Sequence, residues 1–97
     1  MNTHQRFQAL VETAGELEGL YTELTEITKA KRSAYHSAFL ASTESSFTAR
    51  DGFARANAHD LDQDELDLKC QVQILEMRKE LLEFLIRHDA PELEEPR

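Results

Sequence analysis

From Thr3 to Leu40 the apolar side chains return every three or four residues. Phe7, Leu10, Ala14, Leu17, Tyr21 and Leu24 keep that spacing, and Val11, Leu20, Ile27 and Ala34 widen the stripe. The pattern passes through the polar Thr28 and Lys31 and reaches Tyr35 and Ala38. Such a 3-4 repeat lines one side of a helix, and no proline interrupts it, so the spacing predicts a helix over residues 3–41. Gly15 and Gly19 lie one turn apart. Each weakens a helix by about 1 kcal/mol relative to Ala, too little to break it. They would also let a neighbouring backbone approach closely.

Residues 42–47 read as a loop, because short hydroxyl side chains compete with the helix for local backbone groups. Thr48 fits an N-cap, with Asp51 three residues on as an acidic capping box. A second helix is then expected over 48–88. Ala54, Ala58, Leu61, Leu68, Val72, Leu75, Leu82 and Ile86 form its stripe, with Glu65 and Lys79 as polar interruptions. Ile74, Met77, Leu81 and Leu85 add a flanking row. Pro91 ends the pattern, and a charged flexible tail occupies 91–97.

The expected fold class is therefore all-α: two long antiparallel helices, a helical hairpin or coiled coil over residues 1–90. Near the C-terminus, Leu81, Leu82, Leu85 and Ile86 cover more helix surface than one hairpin can bury. Together with Tyr21, Leu24 and Leu75 they are the expected oligomer interface, most simply a dimer forming a four-helix bundle.

Composition narrows the function. Lys plus Arg number 11 against 19 Asp plus Glu, a net charge of -8 over 97 residues. The sequence contains no apolar run of about 18 residues, so no membrane span is expected. The first residues have no apolar signal core, and a cytoplasmic protein is the expectation. Charge is uneven: residues 28–59 carry Lys29, Lys31, Arg32, Arg50 and Arg55 against Glu44 and Asp51, whereas both flanking segments are acidic. A hairpin would gather these bases at its tip. Arg32, His36, Arg50 and Arg55 are then candidate contacts for an anion or nucleic acid, although an acidic protein is a weak electrostatic partner for one. Nucleic-acid contact is accordingly not the favoured reading.

Enzyme chemistry finds little support. Asp60, Asp62 and Asp64 alternate like a calcium loop, but the loop's glycine and final glutamate positions hold Glu65 and Gln71. A solvated acidic face pairing with Lys29, Lys31 and Arg32 fits better. His4, His36, His59 and His88 share no ligand spacing, and the lone Cys70 has no partner base in the pattern. No catalytic residue, metal or cofactor is assigned. The acids at 60, 62, 64, 67, 76, 80 and 83 would suit a DNA mimic, but solubility of an acidic helical protein is the favoured explanation.

The run Thr43-Glu44-Ser45-Ser46-Phe47-Thr48-Ala49-Arg50-Asp51 leads into Ala54-Arg55-Ala56-Asn57-Ala58, and a heptad helix then ends Leu81-Leu82-Glu83-Phe84-Leu85-Ile86. Over residues 5–88 this resembles small helical-hairpin accessory proteins of tailed bacteriophages and prophages. The resemblance implies a non-enzymatic factor acting on an unidentified host or phage protein partner in the host cytoplasm. Its recombination or replication setting also implies the alternative of a nucleic-acid-associated accessory factor. Acidic helical secretion chaperones fit the composition too. The small secreted WxG hairpins do not, since Asp51-Gly52-Phe53 stands where Trp-x-Gly is needed.

Overall fold

In a computed structural model, which describes residues 1–88, the chain is all-α with three helices: α1 (Thr3–Ala41), α2 (Phe47–Asn57) and α3 (His59–His88). This corrects the expected two-helix hairpin or coiled coil, and with it the four-helix bundle of two hairpins. The expected second helix divides at Ala58, which leaves helical geometry at φ -94°, ψ 4°. Asn57 turns its side-chain amide back onto the Phe53 carbonyl at 2.9 Å. Asp60 and Asp62 then sit in the first turn of α3, where the helix dipole favours negative charge. Ala54, Ala58 and Leu61 keep their 4-3 spacing straight through the break, which is why the apolar pattern does not reveal it. The charged tail expected at 91–97, and the expected domain end at residue 90, lie outside the described residues.

The helix starts are also specific. At α1, the Asn2 side chain accepts from the Gln5 N–H and the Gln5 side chain accepts from the Asn2 N–H, both at 2.9 Å, a reciprocal capping box. At α2 the N-cap is Ser46 rather than the expected Thr48: its hydroxyl accepts from the Ala49 N–H at 3.1 Å. Ser46 has the extended backbone of a cap (φ -101°, ψ 152°), whereas Thr48 is already helical. Buried Ser42 accepts from the Glu44 N–H at 3.2 Å, and Arg50 Nε donates to the Glu44 carbonyl at 2.9 Å, so the connection is pinned at both ends.

The chain forms two compact units. One joins Met1–Tyr21 to the described residues from Cys70 to His88. Here α1 contributes buried Arg6, Ala9, Thr13 and Leu17, and α3 contributes buried Val72 and Leu82. The two segments run antiparallel: Arg6 Nη1 donates to the Leu85 carbonyl at 3.2 Å, and the Tyr21 hydroxyl donates to Glu76 at 2.6 Å. Gly15 and Gly19 would meet nothing within 4 Å with an added Cβ, so they do not admit a neighbouring backbone.

The second unit is Thr22–Lys69. Its buried residues are the apolar Ala54 and Ala58 and the polar Ser42 and Glu65, with Ile27, Phe39, Leu61 and Leu68 half-buried around them. Glu65 is buried and accepts from Thr28 Oγ1 at 2.6 Å and from Lys31 Nζ at 2.7 Å. Aromatic rings hold the far end of α1 to the start of α2. Tyr35 stacks on Phe39, with centroids 6.1 Å apart, and Phe39 meets Phe47 edge-on at 5.4 Å.

Candidate functional site

Two surfaces stand out, one in each unit. The first is the outer face of α3. Val72, Leu75 and Leu82 turn towards the interior, and half-exposed Lys79 continues their row at heptad spacing. Ile74, Met77, Leu81 and Phe84 each follow one of them by two residues, a rotation of about 200° that carries them to the opposite side of the helix. Their exposures are 65, 62, 57 and 51 %. Successive members are three or four residues apart, so their side chains adjoin and form one apolar strip. The Phe84 ring lies 4.3 Å from that of His88 at its end. Cys70, one turn before Ile74, is exposed and reduced.

The residues expected at an oligomer interface fall in different places. Leu82 is buried inside the single chain, Leu24, Leu75, Leu85 and Ile86 are half-buried, and Tyr21 and Leu81 are exposed. The strip therefore contains Leu81 plus three residues the pattern did not put in the interface. Ile74 and Met77 belong to the flanking row noted above; Phe84 extends it. Apolar side chains at 3-4 spacing were the available signal.

The second surface is a groove of about 660 Å³ in the Thr22–Lys69 unit. Lys31, Arg32 and Tyr35 of α1, Arg55 of α2, and His59 and Lys69 of α3 are among its lining residues, as are Asp62 and Glu65. Arg32 and Arg55, both expected at an anion contact, are thus brought to one groove. The other two are not lining residues. His36 stands edge-on to Tyr35 at 5.6 Å, and Arg50 lies over the Phe39 ring at 5.9 Å. Lys31, His59 and Lys69 were missed as groove residues, because the helix break that brings His59 to the head of α3 is invisible in the apolar spacing.

Ion pairs organise the groove. Lys31 Nζ bridges Glu65 at 2.7 Å and Asp62 at 3.1 Å; of the pairing expected between the acidic segment and Lys29, Lys31 and Arg32, Lys31 with Asp62 is the ion pair present among the described residues. Lys69 reaches Glu65 at 3.4 Å. The Lys31 ammonium and the Thr28 hydroxyl pull the Glu65 carboxyl down to about 2, against the opposing effect of burial. Glu65 and Asp62 in turn raise Lys31. At one end, the Tyr35 hydroxyl donates to Asp51, whose other oxygen accepts from Arg55 Nε at 2.8 Å. Those two bonds hold Asp51 below the usual carboxylate range, and the bond to Asp51 raises the Tyr35 phenol against the opposing Arg55 charge. Arg32 and His59 have no ion pair or side-chain hydrogen bond among the described residues.

No group of three or more His, Cys, Asp or Glu residues suited to a metal ion occurs among the described residues, and no helix there is long and apolar enough to cross a membrane. No protein-family model matches this sequence, and no curated protein or solved structure matches it either.

Proposed function

We propose that this protein is a non-enzymatic helical interaction protein that self-associates through the outer strip of α3 and acts on a protein partner in that assembled form. The observation that carries this reading is the strip itself: four large apolar side chains, each at least half exposed, on the face of α3 turned away from its own interior. Exposed apolar strips of this kind mark interfaces. The interior cannot offset it. Among the described residues the large apolar side chains that one chain buries fully are Leu17, Val72 and Leu82, a thin core for a chain of this length.

A second copy is the partner that charge favours at this strip. The protein carries -8 overall, so two copies repel over most of their surfaces. Residues 70–88 are balanced, with Glu76, Glu80 and Glu83 against Arg78, Lys79 and Arg87. Two copies can therefore meet along this helix without bringing like charge together. A setting as a phage-type accessory factor rests on the sequence resemblance alone, and the genes flanking this one test it.

Sedimentation velocity over low-micromolar to submillimolar concentrations tests the assembly. The wild type is expected to associate as concentration rises. Met77→Lys is expected to remain monomeric with its helical circular-dichroism signal intact, since this side chain is exposed in the single chain. A wild type that stays monomeric throughout overturns the reading.

A further inference from the structure

We propose that the groove lined by Arg32, Arg55, His59 and Lys69 is a binding site for a phosphate-bearing ligand of about nucleotide size. This goes beyond the assembly reading and uses a different surface in the other compact unit.

The first argument is charge. In a protein of net charge -8, this groove gathers four cationic side chains, Lys31, Arg32, Arg55 and Lys69, against the carboxylates of Asp62 and Glu65. Counting Asp51, which pairs with Arg55, the local balance is one positive charge where the chain as a whole is strongly negative. An anion drawn to this molecule by electrostatics is therefore drawn here.

The second argument is what the internal pairs leave over. Lys31 answers both carboxylates itself. Arg55 spends Nε on Asp51, which fixes its guanidinium at the groove wall and leaves the Nη edge for another acceptor. Arg32 and His59 are exposed and have no ion pair or side-chain hydrogen bond among the described residues. They face the same groove as Arg55, one from α1 and one from the head of α3. A planar guanidinium matches phosphate oxygens two at a time, so two arginines and an imidazole supply the donors a phosphate needs.

The third argument is size. A groove of about 660 Å³ lies in the range of small-molecule sites and exceeds what a bare phosphate would fill. The phosphate group can come from a free mononucleotide or from one residue of a nucleic-acid strand. Those two sources share the chemistry recognised here.

The test is titration of 15N-labelled protein with thymidine monophosphate, with a short oligothymidylate and with thymidine, each at low and raised salt. Amide shifts are expected around Arg32, Arg55 and His59 with one or both phosphate-bearing probes, weakening steeply with salt, and none with thymidine. The tighter of the two probes identifies the source. Arg32→Gln is expected to weaken binding at least about tenfold, as loss of a charge-assisted hydrogen bond does. Lys29→Gln removes the same charge from a neighbouring exposed position outside the groove and is expected to change binding little. Both positions are exposed, so both variants are expected to fold as the wild type does. The proposal is overturned if neither phosphate probe shifts these amides, if thymidine shifts them equally, or if the two variants behave alike.

Discussion

Lys31 Nζ sits 2.7 Å from Glu65 Oε1 in the Thr22–Lys69 unit, and the Glu65 side chain is only 5 % exposed. A buried carboxylate is tolerable there because Lys31, Thr28 and Lys69 all reach it. Removing the lysine leaves the charge poorly compensated. Lys31→Met is therefore expected to lower the melting temperature by about 5–10 °C, and Lys31→Met with Glu65→Leu to recover most of that loss. The same pair sets an acid response. The Glu65 carboxyl lies at about 2 in the fold, against 4.5 ordinarily. Below its ordinary value the unfolded chain binds a proton that the folded chain does not, so the stabilisation is complete above about pH 4.5 and drains away towards pH 2. Urea midpoints across this window should fall more steeply in the wild type than in Glu65→Gln. Parallel curves would show that the pair contributes nothing.

Each of the two tyrosines donates its hydroxyl to a carboxylate, Tyr21 to Glu76 and Tyr35 to Asp51. Losing the phenolic proton breaks that bond and places two negative charges together, so both phenols are raised above their ordinary value. Near-ultraviolet titration of the wild type should show both ionising late. Glu76→Gln should return one tyrosine towards the ordinary range, and Asp51→Asn the other. If Asp51→Asn leaves both unchanged, Tyr35 does not tie α1 to α2 in solution.

Arg6 is 1 % exposed, and its guanidinium meets the Leu85 carbonyl in the last turn of α3. The carbonyls of a helix end lack partners within the helix, and a cation there also complements the helix dipole. Arg6→Ala should therefore cost about 2–4 kcal/mol, through both the lost volume and the unpaired carbonyl. Arg6→Met keeps most of the side-chain volume and should cost about 1–2 kcal/mol, reporting the polar contribution alone. Urea denaturation measures both. Equal losses would make the polar contact the whole of its role, and no loss in Arg6→Met would make it packing alone.

Helical content and two of the ion pairs were legible in the sequence, because 3-4 spacing and opposite charges are visible there. Lys31 with Asp62 joins two helices, and Asp51 with Arg55 lies four residues apart along α2. The break at Ala58 was not legible, because a single residue leaving helical geometry need not disturb the spacing around it. Missing the break also hid the groove, since His59 becomes a helix start only when the chain divides there. Arg6 was passed over for a related reason. An arginine in a polar N-terminal segment reads as solvated, and its partner is a backbone carbonyl, which no sequence pattern displays. The outer strip of α3 was visible as a flanking row, but spacing alone does not tell which of two apolar rows the chain buries.

Leu81 and Leu82 separate those two rows. Leu82 is 6 % exposed and Leu81 57 %. Leu82→Ala opens a cavity within one chain and should cost about 2–4 kcal/mol at any protein concentration. Leu81→Lys loses almost nothing inside the chain, so at low concentration it should match the wild type within about 0.5 kcal/mol. The rows then part as concentration rises. Association that binds only the folded form stabilises it by mass action, so the wild-type melting temperature should climb with concentration. A lysine at position 81 would have to bury its ammonium against the apolar strip of a second copy, and that cost should abolish the climb. Differential scanning calorimetry over a wide concentration range measures it directly. A wild-type melting temperature independent of concentration would remove the outer strip of α3 as a self-association surface, and a climb that survives Leu81→Lys would move the interface elsewhere on the chain.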